Sequence, residues 1–123
     1  MKYITAEITG SLLDCAVAKA NGQLAWTPNA LDGSLRAGIL AANAETGFPE
    51  LFAPSTESAH GWPIIERDHI GCYWIESESQ WRSGIDMHGY TPEFNSAQVH
   101  GSTMLIAAMR AFVTMKLGAE VDL

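Results

Sequence analysis

"STMLIAAMRAFVTMKLG", residues 102–118, decides how this chain can fold. Ser102 or Thr103 supplies a hydroxyl ahead of the first free amides, and Leu105, Ala108, Met109, Phe112 and Met115 recur at the spacing of one helical face. Ile106, Val113 and Leu117 widen that stripe beyond one face, so the helix is apolar on more than one side and belongs at the centre of a core. Lys116 puts a cation in the last turn, where it complements the helix dipole, and Gly118 stops the helix. The preceding "HGST" could seat an anion on the amides of Ser102 and Thr103, but ordinary capping explains it equally well.

A second helix is predicted from about 10 to 21 in "EITGSLLDCAVAKANG". Thr9 or Ser11 can cap it, Leu12, Leu13, Ala16, Val17 and Ala20 share a face, and Asn21-Gly22 tolerates the left-handed backbone of a helix end. "IGCYWI" and "QWRSGI" flank the polar "ESES" and predict a β-hairpin over roughly 70 to 86, with a third strand near "SAQV" at 96 to 99. "LAWT" at 24 to 27 predicts a short strand, and Asp32 can cap a helical stretch from Ser34 to Ala44. In "GWPIIERDHIGCYW", residues 61–74, four consecutive polar residues argue against a strand. Pro63 suits a first helical position; one or two turns would then bury Ile64 and Ile65 and leave Glu66, Arg67, Asp68 and His69 toward solvent.

The 123 residues suit one domain, and 47 % apolar content with only 17 % charge is enough to build a core. The fold class is therefore α+β: two main helices on a small antiparallel sheet, either a hairpin or a three-stranded meander. Cys15 and Cys72 lie far apart with no CxxC, which predicts two reduced thiols. No signal-peptide core and no bilayer-length apolar run stand out, so a cytoplasmic location without a membrane is expected.

The net charge of −7 lies wholly in residues 45–93, where nine acids face only Arg67 and Arg82. Such a field repels phosphate, so direct nucleic-acid binding is not expected, whereas a basic protein partner is compatible. Mimicry of DNA is a further possibility, weakened by the modest charge.

Chemistry is thinly signalled. Glu66 and His69 have the i, i+3 spacing of carboxylate–histidine metal ligands, but there is no second such pair and no HExxH. His60, His69, His88 and His100 all lie in or beside Gly-containing turns, where imidazole can serve loop backbone as readily as a metal. Cys72 with His69 or His100 would make a nucleophilic pair, yet its setting in a strand reads as packing. GxSxG, GxxxxGK[ST] and GxGxxG are missing. Of the tryptophans, Trp74 and Trp81 are expected to pack the hairpin, and Trp62 between Gly61 and Pro63 is the candidate for an exposed contact.

Three blocks resemble the phage NinX-like family: "TGSLLDCAVAKANG" at 9–22, "APSTESAHGWPIIERDHIG" at 53–71 and "STMLIAAMRAFVTMKLGAEV" at 102–121. Cys15 stands where that family often has Trp and Met104 where it often has Pro, while 23–52 and 72–100 match little. The resemblance implies a phage or prophage gene acting in a bacterial cytoplasm, and carries no catalytic residue across. The expected function is a non-enzymatic accessory protein, without a cofactor, that binds a host or phage protein through Trp62, Glu66, Arg67 and Asp68. The alternative is a small metal-dependent hydrolase using Glu66, His69 and another histidine, His60 or His100.

Overall fold

The computed structural model describes residues 2–26, 38–43, 45–85 and 99–123. In chain order the elements are β1 (Lys2–Ile4), α1 (Gly10–Ala20), β2 (Ala25–Trp26), β3 (Ile39–Ala42), β4 (Pro49–Phe52), α2 (Ser58–Arg67), β5 (Ile70–Ile75), β6 (Gln80–Ile85), β7 (Val99–Gly101), α3 (Met104–Leu117) and β8 (Glu120–Asp122). The class is α+β; the described residues form a third helix besides the two expected and three small antiparallel sheets, ordered β1-β8, β2-β3-β4 and β5-β6-β7.

α3 is central for the reason its sequence gives. Ala107, Ala108, Met109, Ala111, Phe112 and Val113 are buried, and the helix packs on β5, β6 and β7 on one side and on α1 on the other. Alanines at 107, 108 and 111 let its backbone approach both neighbours closely. Thr103 caps it, its Oγ1 accepting the Ile106 N–H at 3.1 Å. In α1 every residue from Gly10 to Ala18 is buried. Leu12, Leu13, Ala16 and Val17 join the α3 cluster, while Cys15 and Ala18 pack with Ile39 and Ala41 of β3. Thr9 is the N-cap residue but makes no side-chain bond there.

The chain ends are tied together. β1 pairs with β8, Tyr3 opposite Val121, and the Thr5 hydroxyl donates to the Gly118 carbonyl at 2.9 Å. Arg110 staples α3 to both flanks, donating from Nε to the Ile8 carbonyl at 3.0 Å and from Nη1 to the His100 carbonyl at 2.9 Å. Burial lowers its pKa from the ordinary value, with Glu7 opposing.

The hairpin forms as expected: Cys72 faces Ser83, Tyr73 faces Arg82 and Trp74 faces Trp81, across a loop whose Glu76–Glu78 segment forms one 3-10 turn. The third strand is Val99–Gly101, later than 96–99, of which 96–98 lie outside the described residues. Trp74 departs from its expected packing role. It is 45 % exposed, meets Trp81 edge-on at 5.7 Å and donates from Nε1 to Glu76 at 2.8 Å, so it covers the hairpin end rather than filling the core.

Two further expectations need correction. The helix predicted from Ser34 to Ala44 is contradicted where it can be checked, because Ile39–Ala42 is a strand with alternating burial; 27–37 lie outside the described residues. Gly38 at φ 107° cannot continue a helix, and the ILAA run fits the period-2 pattern of a strand. Pro63 is also not the first helical residue: α2 begins five residues earlier, at Ser58. The missing Pro63 amide costs the helix bond to Ala59, and both residues are exposed, where water can serve that carbonyl.

α2 ends at Arg67 and is capped by Asp68, followed by His69 at φ 55°, a left-handed backbone on which a side chain is strained. The His69 side chain is exposed. His69→Gly is therefore expected to raise the unfolding free energy by about 0.5–1 kcal/mol, read from the urea midpoint.

Candidate functional site

The site is assembled from a buried carboxylate outward. Asp14 is completely buried in α1 among apolar neighbours, which demands partners for its oxygens. Oδ2 accepts the Gly38 N–H at 2.7 Å and Oδ1 accepts the Ser55 N–H at 2.9 Å. One side chain thus pins the entry to β3 and the turn before α2 onto α1. Burial pushes the Asp14 pKa up, and the bonds from Ser55 and Gly38, with His60 nearby, pull it down less strongly. The Ser55 hydroxyl is buried without a bond meeting ordinary hydrogen-bond geometry among the described residues, yet lies near enough to help stabilise that carboxylate.

The turn so fixed positions α2 beside β4. His60 Nδ1 accepts the Ala53 N–H at 2.9 Å, which leaves the proton of a neutral imidazole on Nε2, and the ring stacks on Phe52 at 5.9 Å. Gly61 is required here, since a Cβ would lie 2.6 Å from the Pro54 carbonyl oxygen. Between β4 and α2 opens a cleft of about 430 Å³, within the usual ligand-site range of roughly 300–1,000 Å³. Glu50, Leu51 and Phe52 line it from β4, His60, Pro63 and Arg67 are among its lining from α2, and Ala41 of β3 with Asn21, Gln23, Asn43 and Glu45 extends it across the sheet face.

The amide side chains in the cleft are occupied in holding the β3–β4 hairpin. Asn21 donates to Gln23 at 2.8 Å, Gln23 to the Ala42 carbonyl at 3.0 Å and Asn43 to Glu50 at 3.0 Å, while Asn43 Oδ1 accepts the Glu45 and Thr46 amides at 2.8 and 3.1 Å. The β4 backbone is less fully used. Asn43 N–H donates to the Phe48 carbonyl at 2.9 Å, which fixes the alternation of the ladder: Ala41 with Glu50 and Ile39 with Phe52 are bonded pairs, Leu40 with Leu51 and Ala42 with Pro49 are not. Consistently, Ala42 N–H turns the other way, to the Leu24 carbonyl at 2.7 Å. The Leu51 N–H and C=O and the Pro49 C=O therefore point away from β3, and among the described residues β4 has no strand on that side.

The residues singled out by sequence are distributed over three places. Trp62 and Glu66 lie one turn apart on the exposed side of α2, away from buried Gly61, Ile64 and Ile65. Arg67 and Asp68 form an ion pair at 2.8 Å at the end of α2, with the guanidinium 5.7 Å from the Phe112 ring centroid. His60 faces the cleft and His69 solvent, whereas His100 belongs to the outer row of the β5-β6-β7 sheet. There the Arg82 Nε–H donates to His100 Nε2 at 3.2 Å, and Glu78 lies 3.1 Å from the same nitrogen. Among the described residues no group of three or more His, Cys, Asp or Glu could hold a metal ion; His88 lies outside them. Cys72 has Ser83 Oγ at 3.5 Å and the Met104 carbonyl at 3.9 Å, and burial raises both thiols, Cys15 and Cys72, away from the reactive thiolate.

Asp14, the organising residue, was missed by sequence reading. Its signal was present: one acid inside "LLDCAVA", on a helix with too few polar residues to give it a solvent face.

The three sequence blocks coincide with the parts that build this arrangement: α1 with Asp14, the Pro54–Arg67 turn and helix, and α3 beneath them. A small α+β protein organised around a buried carboxylate is what the fold defines. The sequence profile described as "Bacteriophage P22, NinX" matches residues 4–116, so the chain belongs to that family. The match runs through 23–52 and 72–100 as well, beyond the three blocks. No match was found among curated proteins. No helix among the described residues is long and apolar enough to cross a membrane.

Proposed function

We propose that this phage accessory protein works by binding another protein, of host or phage origin, in the bacterial cytoplasm, through the acidic Trp-containing face of α2. One observation supports the reading above the others: Trp62 is 51 % exposed, one turn from exposed Glu66. A half-exposed indole beside a charged rim is the composition of an interface anchor, and burying it would release far more apolar area than any neighbour on that face. Arg67 and Asp68 extend the rim, already paired and so cheap to leave solvated. Tyr73 and Trp74, also exposed, lie on β5, against which α2 packs.

The test is recovery of partners from host lysate on immobilised protein, comparing wild type with Trp62→Ala plus Glu66→Lys. The double variant is expected to lose partners that the wild type retains, with its thermal midpoint unchanged. Equal recovery by the two proteins would remove this surface from the reading.

A further inference from the structure

We propose that the cleft between β4 and α2 takes an extended basic peptide segment, added as a strand to the outer edge of β4. This site is distinct from the Trp62 face, and either can fail alone.

Three consecutive residues, Glu50, Leu51 and Phe52, line the cleft. Glu50 and Phe52 share one face of the sheet with Ala41, which also lines the cleft, whereas the Leu51 side chain stands on the opposite face, so the cleft runs from that face round to the outer edge of β4. On that edge the Leu51 N–H and C=O and the Pro49 C=O have no partner among the described residues. The side-chain amides around the cleft are already engaged, which leaves these backbone groups as the obvious attachment points. Main-chain bonding of this kind gives sequence-tolerant affinity, and alternate side chains then select. His60 fixes the end of the edge by holding the Ala53 N–H, so an added strand pairs from Leu51 back toward Pro49.

Charge sets the occupant's chemistry. Glu45 and Glu50 face the cleft, and the opposing Arg67 is already paired with Asp68 at 2.8 Å. The cleft is therefore net negative and favours lysine or arginine side chains, whose aliphatic stems can lie along Phe52 and Pro63.

The probe is an acetylated, amidated hexapeptide of alternating lysine and valine. Its binding is followed by NMR and by amide hydrogen exchange of the isotope-labelled chain, up to about 1 mM peptide. Saturable shifts in β4 and α2 and slowed exchange at the Leu51 amide are expected. Backbone N-methylation of the peptide, or its glutamate–valine counterpart, should weaken binding by roughly tenfold or more. Leu51→Pro removes the edge N–H at a position that does not bond β3, and should weaken binding to the same extent with an unchanged circular dichroism spectrum. If that variant does not fold, the N-methylated peptide against wild type still decides. Undiminished binding of the N-methylated or glutamate peptide, shifts confined to Trp62, or no saturable binding would each overturn the proposal. So would Leu51 protection that grows with protein concentration without peptide, which would put a second copy on the edge.

Discussion

Replacing Asp14 with alanine is expected to lower the unfolding free energy by about 2–4 kcal/mol. The carboxylate serves two backbone donors from distant segments, Gly38 at 2.7 Å and Ser55 at 2.9 Å, and is itself wholly buried. Truncation strands both amides, leaves the buried Ser55 hydroxyl beside a void and releases the turn that carries α2. Asp14→Asn should cost less, about 1–3 kcal/mol, because one oxygen still accepts while the new amide group meets an N–H head-on. The two variants also differ from wild type in pH dependence. Burial holds the Asp14 pKa above its ordinary 3.8, so the folded chain binds that proton more tightly than the unfolded chain. The resulting stabilisation is fully present below the unfolded value and is lost as pH rises through the folded one. The penalty of Asp14→Asn, measured by urea unfolding across that window, should accordingly be largest at the acidic end and shrink toward neutrality. A penalty independent of pH would mean that Asp14 keeps an ordinary pKa.

The same residue marks how far the sequence could be read. Periodicity placed α1, α3 and the β5–β6 hairpin correctly because each has a repeat long enough for its burial pattern to dominate. It failed at Ile39–Ala42, where four residues cannot distinguish a helix turn from a strand and where pairing with Pro49–Phe52 decides. Pro63 misled in a similar way, since the helix that contains it starts in "SAHG", a run with no apolar stripe and no side-chain cap. The exposed places of Trp62, Glu66 and Arg67 were predictable from local polarity, because solvent exposure needs no long-range partner. The cleft was not predictable, as it depends on Asp14 joining residues 24 and 41 positions away in sequence.

Gly101→Ala is expected to be among the most damaging conservative changes in this fold, costing about 3 kcal/mol. A Cβ on Gly101 would lie 2.5 Å from the Ala107 nitrogen and 2.9 Å from its Cα, so one methyl would have to lift the first turn of α3 off β7. Neither side can yield cheaply: β7 is held in the ladder with β6, and α3 is fully buried from Ala107 to Met109 and from Ala111 to Val113. Gly61→Ala meets an obstacle of the same kind. There a Cβ would lie 2.6 Å from the Pro54 carbonyl oxygen, which is backbone, and 2.8 Å from Leu105 Cδ2, of which only the leucine can rotate away. Alanine favours the helix by about 1 kcal/mol, so the net cost should be smaller than at Gly101, about 2 kcal/mol. At Gly101 the two nearest atoms both belong to the Ala107 backbone, which gives a sharper test than the size of the loss. Adding Ala107→Gly to Gly101→Ala removes a side chain but none of the clashing atoms, so chemical denaturation should find no recovery in the double variant. Recovery of stability would show that α3 is kept off the sheet by the Ala107 methyl, and that its backbone does not rest on β7 as closely as the glycine implies.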